Sequence, residues 1–188
     1  MSTNEEVRAP ARTDSVDPRA ARVRDRLRQA AFGLIEERRV ERISVSDITQ
    51  RAGVSRQVFY QHFRDRDDAV AQAVAASFRD LAPGDGVRED PRAVIRRLCD
   101  FAARHDRLYR NLYPSAASQQ TANAYRDVLH PACLRLVEHL PDPMTLADFV
   151  VGGIIEVLRL PAAGPGGPVT AESLRRRVDA CLDVVGRR

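Results

Sequence analysis

The sequence predicts an all-α protein, on three observations. Apolar residues recur at three- and four-residue spacing along most of the chain. No stretch alternates apolar and polar residues as a half-buried strand would, and no segment repeats. Proline, glycine and capping residues break the pattern at helix-length intervals. The 188 residues suit one domain or two small ones, with a core that needs no disulfide or metal staple.

Residues 1–18 are polar, contain Pro10 and Pro18, and read as a disordered arm. Helical periodicity begins at Arg19, with Asp17 as a cap and Pro18 at a first-turn position. Val23, Leu27, Ala30, Ala31, Leu34 and Ile35 form the stripe of this helix, which runs to about Arg39. Ser44 and Asp47 fit the capping box of a second helix, whose Val45, Ile48 and Ala52 face inward. Gly53 can take the left-handed conformation that ends it, and Ser55 caps a third helix ending near Phe63.

A fourth helix starts around Arg66 to Asp68, where Asp65, Asp67 and Asp68 suit its positive end. Val70, Val74 and Phe78 carry its stripe, and Ala82 to Pro91 is the clearest internal loop. Asp90 and Pro91 open the next helix, periodic through Val94, Ile95, Leu98, Phe101 and Ala102 to about Arg104. A short helix from Asp106 to Tyr113 stops at Pro114. The region Ser118 to Leu140 contains Pro131 and is expected to kink or break there. Thr145 to Leu160 is strongly apolar, and the loop Pro161 to Pro168 separates it from a last helix of about Thr170 to Val185.

Helix, glycine turn and polar-faced helix, over Ser44 to Phe63, have the outline of a helix-turn-helix. The second helix of such a unit enters the major groove of DNA and reads base edges. On a helical wheel Arg56, Gln57, Tyr60 and Gln61 fall within an arc of about 140°. Arg can bond guanine bidentately and Gln adenine. Tyr60 and the Ser55 hydroxyl can hold phosphate oxygens, and Arg66 stands where it can touch the DNA backbone. Val58 and Phe59 lie outside the arc and can anchor the helix. A polar face alone is usually just solvated surface, but the charge distribution supports more. Residues 19–66 hold 12 Arg against 6 acids, whereas residues 67–188 hold 16 of each and residues 1–18 are net acidic, so the basic excess coincides with the motif. All 30 basic residues are Arg, a planar fork suited to phosphate and guanine.

The elements S-V-S-D-I (Ser44 to Ile48), A-G-V-S (Ala52 to Ser55), F-Y-Q-H-F (Phe59 to Phe63) and R-D-R-D-D-A-V (Arg64 to Val70) resemble the TetR family of transcriptional regulators. The resemblance runs from about Val23 to Val74, and the order of the later helices fits it. It implies a homodimer whose subunits have a three-helix DNA head, residues 19–66, and a helical ligand-binding and dimerisation domain, residues 67–188. Matched residue by residue, it implies DNA contacts at Ser44, Ser46, Ser55, Arg56, Gln57, Tyr60, Gln61, His62 and Arg66. His62 has a competing role, packing at the helix end against the head's core. Two positions depart from the family pattern. Arg39 and Val40 stand where Gly is frequent after the first helix, and Val58 where Thr is frequent, which removes one phosphate-bonding hydroxyl.

The resemblance further implies that the last two helices pair with their symmetry mates in a four-helix bundle, setting two recognition helices on a palindromic operator. Candidate interface residues are Gly152, Gly153, Val157, Leu174, Val178 and Cys181; the competing reading is intrachain core, which periodicity does not separate. An effector pocket would lie between the middle helices, with Phe101, His105, Tyr109, Tyr113, Tyr125, Leu129, Cys133 and Phe149 as candidates, each also readable as plain core. Glu156 interrupts an apolar run; solvent, an Arg such as Arg159 across the dimer, or a ligand are its open partners.

Other functions leave less trace. Cys99, Cys133 and Cys181 are far apart, odd in number and in apolar stretches, so buried free thiols are expected rather than a disulfide framework or metal site. The four His lie at unrelated spacings, and no paired carboxylates or nucleophile motif stand out, so neither an enzyme nor a cofactor is expected. The first residues have no apolar run of a signal peptide, and the longest such run, Phe149 to Ile155, is too short to span a bilayer, so a cytoplasmic place is expected. The sequence thus predicts a sequence-specific regulator, a repressor released by a small molecule. A ligand-independent activator or co-regulator of the same fold is the alternative, and a small helical enzyme the remote one.

Overall fold

In a computed structural model, residues 18–81, 89–163 and 170–186 are described. The predicted arm except Pro18, which opens the first helix, and parts of both predicted loops lie outside them. The described residues form nine α-helices, one 3-10 turn and no strand, as the periodicity predicts.

Helix α1 (Pro18–Glu37) buries Leu27, Ala30, Ala31, Leu34 and Ile35 on one stripe. It stops before Arg39, because a 3-10 turn (Val40–Arg42) follows and plants Val40 in the core. Helices α2 (Val45–Ala52) and α3 (Arg56–Tyr60) come next. Helix α3 is shorter than predicted: His62 N–H reaches back to Phe59 O at 2.9 Å, a three-residue turn that ends the helix. The turn brings the Phe63 and Phe59 rings within 5.5 Å, and both are buried.

Helix α4 (Arg66–Arg79) opens on Asp65, whose carboxylate accepts the Asp68 N–H at 2.8 Å. Asp68 is itself buried, and it is satisfied by the Arg64 N–H and the Gln72 side chain, both at 3.0 Å. Helices α5 (Pro91–Arg104), α6 (Asp106–Leu112), α7 (Ala116–Val137), α8 (Pro143–Ala163) and α9 (Ala171–Gly186) complete the chain. A kink or a break is expected at Pro131; helix α7 runs through it without a break. Pro131 is exposed, so the carbonyl it leaves without an N–H partner can take water.

The buried residues of head and body form one contiguous core. Helix α4 packs on α1 on one side and α7 on the other; α7 packs on α8, and α5 on α7 and α9. Helix α6 is fastened to the last turn of α1. Asn111 donates to Ile35 O at 2.7 Å, the His105 imidazole contacts Glu36, and Arg39 donates to Tyr113 O at 3.4 Å.

Candidate nucleic-acid interface

Local chemistry builds the frame of the helix-turn-helix. Ser44 Oγ accepts the Asp47 N–H at 3.1 Å while the Asp47 carboxylate accepts the Ser44 N–H at 2.8 Å, which is the predicted capping box. Gly53 ends α2 at φ 64° and ψ 42°, a left-handed conformation. The Ser55 hydroxyl then accepts the Val58 N–H at 3.2 Å and starts α3. Arg51 reaches from α2 to both Glu37 oxygens at 2.8 and 2.9 Å, tying α2 to α1, and Arg38 meets Asp47 at 3.2 Å. The Arg51 guanidinium holds the Glu37 carboxyl below its usual range, and the Ser44 hydroxyl and amide do the same for Asp47. Glu37 is exposed and Asp47 half-buried at the surface, so these bonds fix orientation more than they add stability.

Against this frame α3 divides into two faces. Phe59 is fully buried, Val58 half-buried. Arg56, Gln57, Tyr60 and Gln61 are exposed together, Tyr60 at 55%. Among the described residues the side chains of Arg56, Gln57 and Gln61 have no hydrogen bond or ion pair, and the Tyr60 ring has only an edge contact with the Phe59 ring at 5.3 Å. Polar groups presented without protein partners are free to bond an outside ligand.

The other candidate positions have partners of their own. The Ser44 hydroxyl donates to Asp47 at 2.7 Å as well as capping α2, while Ser46 is exposed. Arg66 binds Asp67 at 2.9 Å and extends to Ile43 O at 3.3 Å, so its guanidinium braces the 3-10 turn from α4. His62 turns toward α1, into a crevice of about 210 Å³ with Ala20, Ala21, Arg24 and Arg28. Burial and the Arg24 charge push its imidazole below the usual value. Arg24 went unremarked in the sequence reading. It is exposed beside His62 with no ion pair among the described residues, and its signal was the run of Arg at every second or third position of early α1.

Residues 27–73 match the family model for "Bacterial regulatory proteins, tetR family". The matched stretch covers the helix-turn-helix head, which is thus similar to that family. No curated protein matches it. A TetR regulator from Rhodococcus sp. RHA1 superposes with a TM-score of 0.66 at 16% identity, covering 88% of this chain and 96% of that one. RolR in complex with resorcinol gives 0.64 at 20%, covering 90% of each chain. The flavonoid-responsive regulator FrrA gives 0.55 at 20%, covering 88% of this chain and 95% of its own. At these identities the likeness is one of fold, and it extends through the body as well as the head.

In that body Phe101, Tyr109, Tyr125, Leu129 and Cys133 are buried. Phe78 of α4 joins three of the candidates: its ring lies 3.9 Å from Tyr125 and 5.3 Å from Phe101, which lies 4.3 Å from His105. Tyr113 is half-buried, with Arg159 over its ring at 5.1 Å. Phe149 does not join this group; it is 73% exposed on α8. Gly152, Gly153 and Cys181 are exposed and Val157 half-buried, whereas Leu174 and Val178 are buried within the protomer, where α9 packs on α5 and α8. Cys181 therefore departs from the expectation of buried thiols, which Cys99 and Cys133 meet. Glu156 pairs with Arg159 one turn along its own helix at 3.2 Å. Among the described residues no group of three His, Cys, Asp or Glu is placed to hold a metal ion, and no helix is long and apolar enough to cross a membrane.

Proposed function

We propose that this chain is a sequence-specific, cytoplasmic DNA-binding regulator that reads a palindromic operator as a homodimer and represses until a small molecule releases it. The observation that carries the reading is the uncommitted face of Arg56, Gln57, Tyr60 and Gln61, rigidly seated by the buried Phe59. Arg56, Gln57 and Gln61 are the base-reading groups, and Tyr60 and Ser55 position the helix on phosphate. Arg24 adds a phosphate contact from α1. Its role is binding rather than catalysis.

Dimerisation is supported by α8. Met144 and Phe149 stand exposed there, with Gly152 and Gly153 exposed on the same helix, a combination that permits close approach of a second copy. Release by a ligand is supported by fold-mates: RolR was solved with resorcinol and FrrA is flavonoid-responsive. A ligand acts by preferring a conformer whose head spacing misfits the operator, and it shifts the equilibrium only by that preference.

Selection from a random duplex pool tests the reading. An inverted repeat should be enriched, with affinity falling steeply as salt rises. Equal retention of all sequences, or binding indifferent to salt, would sink it. A reporter under the selected site then gives the sign of regulation.

A further inference from the structure

Tyr109 of α6 and Tyr125 of α7 are each 1% exposed, and neither phenol oxygen has a hydrogen-bond partner. A buried hydroxyl is normally satisfied, so two orphans in one core need an explanation. They are neighbours: the ring centroids lie 6.2 Å apart with planes 35° from parallel. Tyr125 also lies against Phe78, and Phe78 against Phe101, so the two tyrosines belong to one aromatic column that crosses four helices.

We propose that this column binds a small neutral aromatic molecule whose acceptor oxygen takes the hydroxyls of Tyr109 and Tyr125. The proposal rests on the ligand-released reading above. Each attribute of the ligand follows from the surroundings. The flat ring walls favour a planar aromatic body. The orphan groups are donors, so the ligand brings an acceptor. Thr121, the buried hydroxyl of α7, is already committed to Ala117 O at 2.9 Å. Neutrality follows from the absence of a free counter-charge: His105, stacked on Phe101 at 4.3 Å, is already engaged by Glu36. Among the described buried residues the only ionisable acid or base of the charged types is Asp68, an acid whose partners are in its own helix and turn. No buried cation is available for a carboxylate ligand, and an unpaired charge would not enter. The Cys99 thiol near Tyr125, pushed up to about 12 by burial, is neutral as well.

The column is closed to solvent, so entry requires α4 and α7 to part. Helix α4 begins where the DNA head ends, which gives such a ligand mechanical access to the head.

The test uses the full chain and three probes of similar size: acetophenone, neutral with a carbonyl; toluene, with no acceptor; and benzoate, an anion. Melting curves and calorimetric titrations are run on wild type, Tyr109→Phe and Tyr125→Phe. Without probe, both variants should melt no lower than wild type, because each loses only an unpaired hydroxyl. Acetophenone should bind wild type at least tenfold more tightly than toluene or benzoate. Each variant should lose about tenfold, or about 1.4 kcal/mol, for acetophenone and nothing for toluene. A variant that melts below wild type shows the hydroxyl already has a partner and overturns the proposal. So do equal binding of acetophenone and toluene, preference for benzoate, or no binding of any probe. Binding to the selected operator, measured on the same preparations, separates the two levels: intact operator binding with a failed probe series removes this inference alone, whereas failed operator binding removes the regulator reading.

Discussion

Replacing Phe59 with Ala measures how firmly the recognition helix is anchored. Phe59 is fully buried, between Phe63 and the Tyr60 ring edge at 5.5 and 5.3 Å. A buried Phe removes about 150–250 Å² from water. At about 25 cal/mol per Å² that is about 4–6 kcal/mol, an upper bound because the unfolded chain already hides part of that area. Core Phe-to-Ala changes cost about 3–5 kcal/mol, so about 4 kcal/mol is the expectation here. With a urea slope of about 2.5 kcal/mol per molar, the unfolding midpoint should drop by about 1.6 M. The chain has no Trp, so circular dichroism is the natural probe. Operator affinity, read by the anisotropy of a labelled duplex, should fall with it, while Phe59→Leu keeps most of both. A midpoint shift below about 0.3 M, with unchanged slope, would refute the claim that Phe59 seats the helix.

Three further outcomes are expected. Arg56→Ala or Gln57→Ala should relax discrimination at one operator position by about 1–3 kcal/mol in competition against single-base variants; uniform weakening would instead mark a phosphate contact. Gly53→Ala should lower urea stability by about 1 kcal/mol, because a Cβ there meets nothing within 4 Å yet must adopt φ 64°, and Gly53→Asn should cost less; an Ala variant as stable as wild type would deny the left-handed turn. His62 is held below the usual imidazole value, so the unfolded chain binds more protons there than the folded one. Stability should therefore fall as pH drops below about 6.5, a slope that His62→Gln flattens. The lowered Glu37 and Asp47 values act in a separate window, below about pH 4. An unaltered pH profile in His62→Gln would show that the imidazole is not buried.

What was legible in the sequence is what local rules determine. The capping box at Ser44 and Asp47, the Gly53 stop and the Ser55 cap each involve residues within four positions, and all three appear as read. The outward set of Arg56, Gln57, Tyr60 and Gln61 followed from the helical wheel. Long-range choices were not legible. Arg66 braces Ile43 across 23 residues, and α1 stops early because the core claims Val40. Periodicity showed that α8 and α9 have apolar faces but not what covers them, so Leu174 and Val178 turned out to be intrachain core while Phe149 is exposed. That the helix would pass Pro131 without a break was not legible, because the exposure of Pro131 depends on how α7 is rotated. The orphaned phenols of Tyr109 and Tyr125 carry no sequence mark at all.

The fastening of α6 to the final turn of α1 has a geometric consequence. Helix α1 has 20 residues and so spans about 30 Å. Asn111 and His105 grip it at one end, and α4 crosses it farther along. It is therefore a stiff bar held at the tail. A tilt of about 5° imposed at the grip displaces the far end by about 2.6 Å over that length. That displacement rivals the full length of a hydrogen bond, whose tolerance is only a few tenths of an ångström. Motion too small to unpack the body is thus large enough to carry Arg24, near the far end, out of reach of the phosphate contact proposed for it.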